Sequence, residues 1–426
     1  AESQTEIAQE GIRLEQIGVG IISSINQLLP NNSLADANAS GSSVTNIAAE
    51  DINTADVIGS AATDSFVQRE SAAVSDAPVE VSHLATTPAS RRLRSTAQPD
   101  VEYVEALIYA VEVGKELATL SEGLTITEYP STSPWLALHT ILNQVQPQEK
   151  TIGTLSAPLP RNSVVTLKQD GAQLAMAQRD GVSIWRNWID TPQPVTADGS
   201  ISSLGFGQDS RLVTGSSVTG GDAVRVQVWN NAGQPVDQIG IAGGQGVLID
   251  TALNSVKDTI AVIRGGEVRL VTLSTREESL LNGEQGSMRN LEFSRDGQSL
   301  IGVDLKGFVW IWDVSESLAQ EPFRFDSYQD KLREASISPD GQIIATLGFN
   351  GSIRLWTRRG MQVGSFVENP DVVDIAFTQN EELILVERGG TLKSYQVDRL
   401  DTLMDKSCRW LSTYKSRYPK IASVCP

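Results

Sequence analysis

The sequence predicts an all-β propeller of six blades, with seven as the alternative. It adds an N-terminal helical stalk, a disordered insert within that stalk and a C-terminal helix. Three observations predict this. A strand-like stretch recurs at Gly181-Val182-Ser183-Ile184-Trp185, Val224-Arg225-Val226-Gln227-Val228-Trp229 and Gly307-Phe308-Val309-Trp310-Ile311-Trp312-Asp313. It returns at Gly351-Ser352-Ile353-Arg354-Leu355-Trp356, with weaker copies at 266–271 and 390–395. The copies end roughly 40 residues apart, the period of propeller blades. From about Thr151 the hydrophobic pattern also switches from helical spacing to alternation.

Taken in order, residues 1–30 read as an amphipathic helix. Ile7, Leu14, Ile17, Ile21, Ile25 and Leu28 recur at helical spacing, and Pro30 ends the pattern. Residues 31–99 are rich in Ala, Ser, Asn, Thr and Asp and almost free of aromatics, a composition that predicts a disordered insert. Its basic cluster, Arg91-Arg92-Leu93-Arg94, reads as part of a solvated spacer, with a docking or protease-sensitive site as the sharper reading. Residues 100–150 form a helical connector. Its first helix starts near Asp100 and stops near Gly123. Its second takes Ser133 as N-cap and Pro134 at the first helical position.

Residues 151–399 hold six units, near 161–186, 201–229, 246–271, 288–312, 332–356 and 371–395. Each runs strand, polar turn, strand, glycine hairpin, strand. Ser294-Arg295-Asp296-Gly297 and Ser338-Pro339-Asp340-Gly341 are examples of the turn. Lys306-Gly307 and Asn350-Gly351 are examples of the hairpin. A looser fourth strand completes each unit. The last unit lacks one of its own, so Thr151 to Leu155 is expected to close the ring by pairing with the strand ending at Tyr395. Residues 400–426 read as a helix from Leu400 to Tyr414 and a short tail.

The formal net charge is -18, which argues against a nucleic-acid partner, because phosphate binding requires a basic face. No apolar run is long enough to span a bilayer. The chain opens on Ala1-Glu2-Ser3 without a signal-type segment, and its two cysteines, Cys408 and Cys425, make no disulfide framework; both features lean cytoplasmic. The two cysteines could pair and staple the tail, or remain reduced, and a cytoplasmic setting favours the thiols.

Trp312-Asp313, the Ser-Pro-Asp-Gly turn and the repeat length resemble WD-repeat propellers. The Gly-His dipeptide of such repeats is absent, and the histidines, His83 and His139, precede the ring. The buried His–Asp network of that family is therefore expected to be missing, and apolar packing to replace it. The flanks resemble the connector between the NTPase module and the propeller of cyanobacterial STAND-type (NACHT/WD-repeat) signalling proteins. The residues that carry this are Gly11 through Val19, Glu105-Ala106-Leu107-Ile108, Gly114-Lys115-Glu116-Leu117, Glu128-Tyr129-Pro130, Ser133 through Leu138 with Ile141-Leu142, Cys408-Arg409-Trp410-Leu411 and Cys425. That resemblance implies a sensing or partner-binding arm of a switch ATPase. The chain lacks a Gly-x-x-x-x-Gly-Lys-Ser/Thr loop, so nucleotide switching is not expected within it, and an NTPase module on a separate chain is one partner the resemblance implies.

Among individual residues, Trp310 departs from its repeat. Its counterparts, Ser183, Gln227, Arg269, Arg354 and Lys393, are polar, so its position is expected to be wet. There Trp310 is either an interaction anchor or a cover for its own blade edge. Asp170, Asp296 and Asp340 read as turn residues before calcium ligands. Gly243-Gly244-Gln245-Gly246 has no following helix and carries no phosphate-loop reading. The expected function is a non-catalytic protein-interaction module without cofactor or metal. The alternatives are a propeller hydrolase or lactonase using Asp250, Asp304 and Glu387, and a structural subunit of a membrane-associated complex.

Overall fold

The computed structural model describes residues 2–28, 100–146, 149–156, 158–160, 163–178, 181–186, 191–196, 200–217, 224–241, 246, 248–283, 286–315, 321–366 and 368–426. The expected insert at 31–99, with Arg91-Arg92-Leu93-Arg94 and His83, lies outside the described residues, as does Gly243-Gly244-Gln245. Two compact units divide the chain. One comprises Ala1–Pro147, Gln362–Gly364 and Asp398–Pro426; the other comprises Gln148–Met361 and Ser365–Val397.

The first unit is helical. Helix α1 (Glu2–Leu28) buries Leu14, Ile17, Ile21 and Ile25, the stripe its spacing predicts. Helix α2 (Asp100–Leu120) buries Val104, Leu107, Ile108, Val111 and Leu117, and Gly123 follows with φ +81°. Helix α3 (Ser133–Val145) is capped by Thr132, so Ser133 and Pro134 sit one position further in than expected. The reason is Glu15 of α1, which accepts hydrogen bonds from Ser131 Oγ at 2.6 Å and from Ser133 Oγ. The glycines of α1 permit that approach. A Cβ on Gly11 would meet Pro130 Cβ at 2.7 Å, and one on Gly18 would overlap Ser133. Helix α4 (Leu400–Leu411) runs into a single 3-10 turn, Ser412–Tyr414, and the tail carries a short helix α5 (Ile421–Val424).

Cys408 on α4 and Cys425 after α5 form a disulfide with Cα atoms 5.3 Å apart. Of the two sequence readings this is the paired one, so the cysteines lend the cytoplasmic expectation no support.

The second unit is a ring of six four-stranded antiparallel sheets. Blade 1 holds β2 (Val165–Leu167), β3 (Leu174–Gln178), β4 (Gly181–Trp185) and β5 (Gln193–Val195). Blade 2 holds β6 (Ser200–Phe206), β7 (Leu212–Ser217), β8 (Val224–Trp229) and β9 (Pro235–Ile241). Blade 3 holds β10 (Leu248–Asn254), β11 (Thr259–Arg264), β12 (Glu267–Thr272) and β13 (Glu278–Leu280). Blade 4 holds β14 (Met288–Phe293), β15 (Ser299–Asp304), β16 (Phe308–Asp313) and β17 (Phe323–Asp326). Blade 5 holds β18 (Leu332–Ile337), β19 (Ile343–Gly348), β20 (Ile353–Thr357) and β21 (Gln362–Phe366). Blade 6 holds β22 (Val372–Phe377), β23 (Glu382–Glu387) and β24 (Thr391–Gln396), completed by β1 (Glu149–Thr154).

Strand β1 pairs antiparallel with β24 from Glu149↔Tyr395 to Thr154↔Thr391, starting two residues earlier than expected. Glu149 supports the pairing with its side chain. It takes Lys393 Nζ at 2.7 Å and accepts the Tyr395 hydroxyl. Without β1 the last blade would present a bare edge. A chain of residues 148–397 retains β1, and one of 156–397 lacks it. The shorter chain is expected to melt lower and to self-associate in a thermal and light-scattering comparison; equal melting would contradict this closure.

Candidate functional site

The first strand of each blade lines the central channel. In blades 2 to 6 these strands share one irregularity: their register slips at Ile201/Ser203, Leu248/Asp250, Met288/Asn290, Leu332/Glu334 and Val372/Asp374. A bulge at the same place in these five strands brings Ser203, Asp250, Asn290, Glu334 and Asp374 to one level of the ring. Three of these side chains join neighbouring blades. Asp250 Oδ2 accepts the Leu291 N–H at 2.8 Å, and Asn290 Oδ1 accepts the Ala335 N–H at 3.1 Å. Ser203 Oγ lies 3.0 Å from Thr251 Oγ1. Glu334 and Asp374 lie near enough for each to act on the other's charge, and among the described residues Asp374 Oδ2 is buried without a hydrogen-bond partner.

Deeper in the channel Glu292 Oε1 accepts the Ile337 N–H at 3.2 Å and Gln169 Nε2 at 2.6 Å. Gln169 reaches there from blade 1, on the opposite side of the ring, and also donates to Phe293 O at 2.7 Å. Gln208 of blade 2 donates to Ser294 O at 3.3 Å and accepts the Ser255 N–H at 3.0 Å. The two glutamines close this end of the channel. The cavity left above them, lined by Asp250, Asn290, Glu292 and Glu334, measures about 50 Å³, room for water-sized species.

Burial among these blades pushes Asp250 up to about 8 and Glu292 to about 7. Burial raises Asp374 too, and it raises Glu334 well above the carboxylate range, aided by the charge of Asp374. Two opposed carboxylates in such a place share a proton rather than both ionise.

The three carboxylates read as hydrolytic candidates do not converge. Asp250 alone faces the channel. Asp304 is buried and accepts the N–H groups of Lys306 at 2.8 Å and Phe308 at 2.9 Å, fixing its hairpin. Glu387 is held by Lys393 Nζ at 2.8 Å and Asn369 Nδ2 at 2.7 Å. Asp296 and Asp340 each accept a serine hydroxyl of their own turn at 2.6 Å, and Asp170 accepts the Ala172 N–H at 2.9 Å. Among the described residues no three His, Cys, Asp or Glu side chains are placed to hold a metal ion.

Trp310 is 3% exposed, which corrects the expectation of a wet position. Both faces of a blade pack against neighbours, and Trp310 lies in the core between blades 3 and 4 with Ala252, Leu291 and Trp312. It pairs across the sheet with Gly302, where other blades carry Met176, Thr214, Val262, Thr346 and Leu385. The missing side chain makes room for the indole, which stacks on Trp312 and donates Nε1–H to Asp304 Oδ2 at 3.1 Å.

The expectation that apolar packing alone holds the blades is also corrected. In blade 5, Trp356 Nε1 donates to Thr346 Oγ1 at 2.9 Å, and Thr346 Oγ1 donates to Gln329 Oε1 at 2.6 Å. Gln329 Nε2 continues to Ser352 Oγ at 2.8 Å. Trp229 Nε1 donates to Thr214 Oγ1 at 3.0 Å in blade 2. Glutamine and threonine thus supply the buried polar links for which the sequence offers no histidine.

Of the two channel mouths, one is surrounded by the tight turns between first and second strands, which carry Asp296 and Asp340. The other is surrounded by the hairpins between second and third strands and by the connections between blades. On this hairpin face Tyr328 is 40% and Phe349 46% exposed, and the Arg333 guanidinium lies 5.2 Å from the Phe349 ring centre.

A model described as WD domain, G-beta repeat matches residues 323–357, from β17 through β20. The chain is 26% identical over 258 residues to telomerase protein component 1 of Mus musculus, covering 56% of this chain and 10% of that protein. It is 26% identical over 248 residues to the Rattus norvegicus protein of the same name, covering 54% of this chain and 9% of that one. The chain therefore spans about a tenth of the length of these relatives. It contains a WD40 repeat set within a six-bladed propeller.

Two outcomes follow from the channel and the blade 4 core. Trp310→Ala is expected to lower stability by about 3–5 kcal/mol in denaturant unfolding, as for other buried aromatic truncations. The channel carboxyls favour the neutral form in the folded ring, because their pKa values are raised above those of the unfolded chain. Their contribution is full below the unfolded carboxylate range, about pH 4, and is lost as pH rises through about 6 to 8. Glu292→Gln should flatten that part of the melting profile; an unchanged slope would contradict the assignment.

Proposed function

We propose that the chain is a non-catalytic protein-interaction module that presents a face of its propeller to a partner. The observation that carries this reading is the filling of the channel. Asp250 and Glu292 are committed to neighbouring blades, Gln169 crosses it, and the remaining cavity has room for water-sized species. What a propeller of this kind has left to offer is its rim and loops. WD40 propellers are in general scaffolds of that sort. In its finer form the reading takes the helical unit as a connector to a switch NTPase on a separate chain, in a cytoplasmic setting, on the resemblance of Gly11 through Val19 and Ser133 through Leu138. Gly11 and Gly18 are the places where α1 meets Pro130 and Ser133, which gives that motif a packing role as well.

A second reading is a structural subunit of a larger assembly. The relatives' own name, a protein component, favours it. Among the described residues no helix is long and apolar enough to cross a membrane. Crosslinking and affinity capture of the full chain from native extract is expected to return a stoichiometric partner. Recovery of the chain alone, together with turnover of ester or lactone substrates, would overturn the interaction reading in favour of the hydrolase.

A further inference from the structure

We infer that the Cys408–Cys425 disulfide is a redox-sensitive strap. Its reduction by a dithiol frees residues 415–426 from helix α2 and leaves the rest of the helical unit and the propeller folded. The two cysteines are anchored unequally. Cys408 sits in α4, whose packing secures it without a crosslink: Leu400, Leu403, Ser407 and Leu411 are buried, and the helix lies against α2 and α3. Cys425 follows α5, a helix of four residues, far short of the length that is stable by itself. The 3-10 turn between them stays with α4, since the Tyr414 ring lies 4.8 Å from that of Trp410.

Little besides the disulfide holds residues 415–426 in place. Their backbone hydrogen bonds are local: Tyr418 N–H donates to Tyr414 O, Ile421 N–H to Tyr418 O, Val424 N–H to Lys420 O and Cys425 N–H to Ile421 O. Among the described residues one ion pair joins the segment to another helix, Lys420 Nζ to Glu112 of α2 at 2.7 Å. Both of its side chains keep much of their surface in water, so it contributes little. Lys420 Nζ also stands 6.0 Å from the ring centre of Tyr109 on α2. Ile421, Val424 and Cys425 are the buried side chains; Lys415, Ser416, Arg417 and Pro419 are exposed. Two aliphatic side chains and one exposed pair are a small return for ordering the whole segment, and the crosslink offsets that entropy.

The redox step is a thiol–disulfide exchange. Cys408 is half-buried and Cys425 is 3% exposed, so attack is expected at Cys408. One thiolate of the dithiol attacks Cys408 Sγ, the Cys408–Cys425 bond breaks, and Cys425 leaves as a thiolate that takes up a proton. The second thiol of the reductant gives up its proton and displaces Cys408 from the mixed disulfide. The chain then carries two thiols and the dithiol has become its own disulfide, so two electrons and two protons have passed to the protein. With the bond open, α5 and Lys420 leave α2, and the surface around Tyr109 and Glu112 that they cover opens to solvent. Redox state thereby sets what α2 presents.

The test is amide hydrogen exchange on the full chain equilibrated with oxidised or with reduced dithiothreitol, with thiols counted in each state and no denaturant present. No thiol is expected in the first state and two in the second. On reduction, exchange at 415–425 should rise about tenfold or more, while α1, α3 and the propeller strands keep their protection. Return to the oxidised reagent should reverse the change. A chain carrying both Cys408→Ser and Cys425→Ser should exchange fast at 415–425 in either reagent, with propeller melting matched to the parent. Equal thiol counts in the two states, or unchanged exchange at 415–425 in a chain shown to be reduced, would overturn the inference. So would loss of protection that spreads to α3 on reduction of the unaltered chain, which would make the disulfide a staple of the whole helical unit.

Discussion

Closure of the ring is the constraint on which the rest of the second unit depends. Six sheets can bury both faces of every blade only if the sixth meets the first, and the strand that completes the sixth comes from the opposite end of the domain. Closure is made at the outer rim, where β1 adds its ladder to β24, with Glu149 reaching Lys393 and Tyr395. The apolar layers between blades, such as Leu174, Trp185, Ile384 and Leu392 between blades 1 and 6, supply the bulk of the stabilisation. The hydrogen bonds fix the order and spacing of the blades.

The same closure decides where function can reside. A bulge repeated in the inner strands of blades 2 to 6 turns polar side chains toward the axis, where Asp250 and Asn290 bond the next blade. Burial raises the channel carboxyls toward their neutral form, and Gln169 bridges the axis.

Much of this was legible in the sequence. The repeat of Gly-led strands ending on Trp located the blades, and the alternating pattern located β1 as the closing strand. The bulge was also written there, as an apolar residue, a variable one and a polar one. That signal runs through Ile201-Ser202-Ser203, Leu248-Ile249-Asp250, Met288-Arg289-Asn290, Leu332-Arg333-Glu334 and Val372-Val373-Asp374. Read as simple alternation it passes unnoticed, because a register slip is a property of two strands and the pattern is carried by one. Trp310 was misjudged for a related reason. Its surroundings depend on Gly302 across the sheet and on the neighbouring blade, neither of which is near it in sequence. Gln329 carries no such signal, because its partners Thr346 and Ser352 lie about 20 residues on and no pattern in a single strand marks the link. The N-cap at Thr132 escaped because Glu15, which shifts it, lies in another helix.

The central claim is that this propeller acts through a face of its ring. Amide hydrogen exchange on the chain purified with its native partner, against the chain alone, addresses it directly. Protection is expected to rise in the loops of one face, either 326–333 and 348–351 or the turns 254–258, 294–298 and 338–342. Protection confined to the inner strands, with both sets of loops unaltered, would contradict the account.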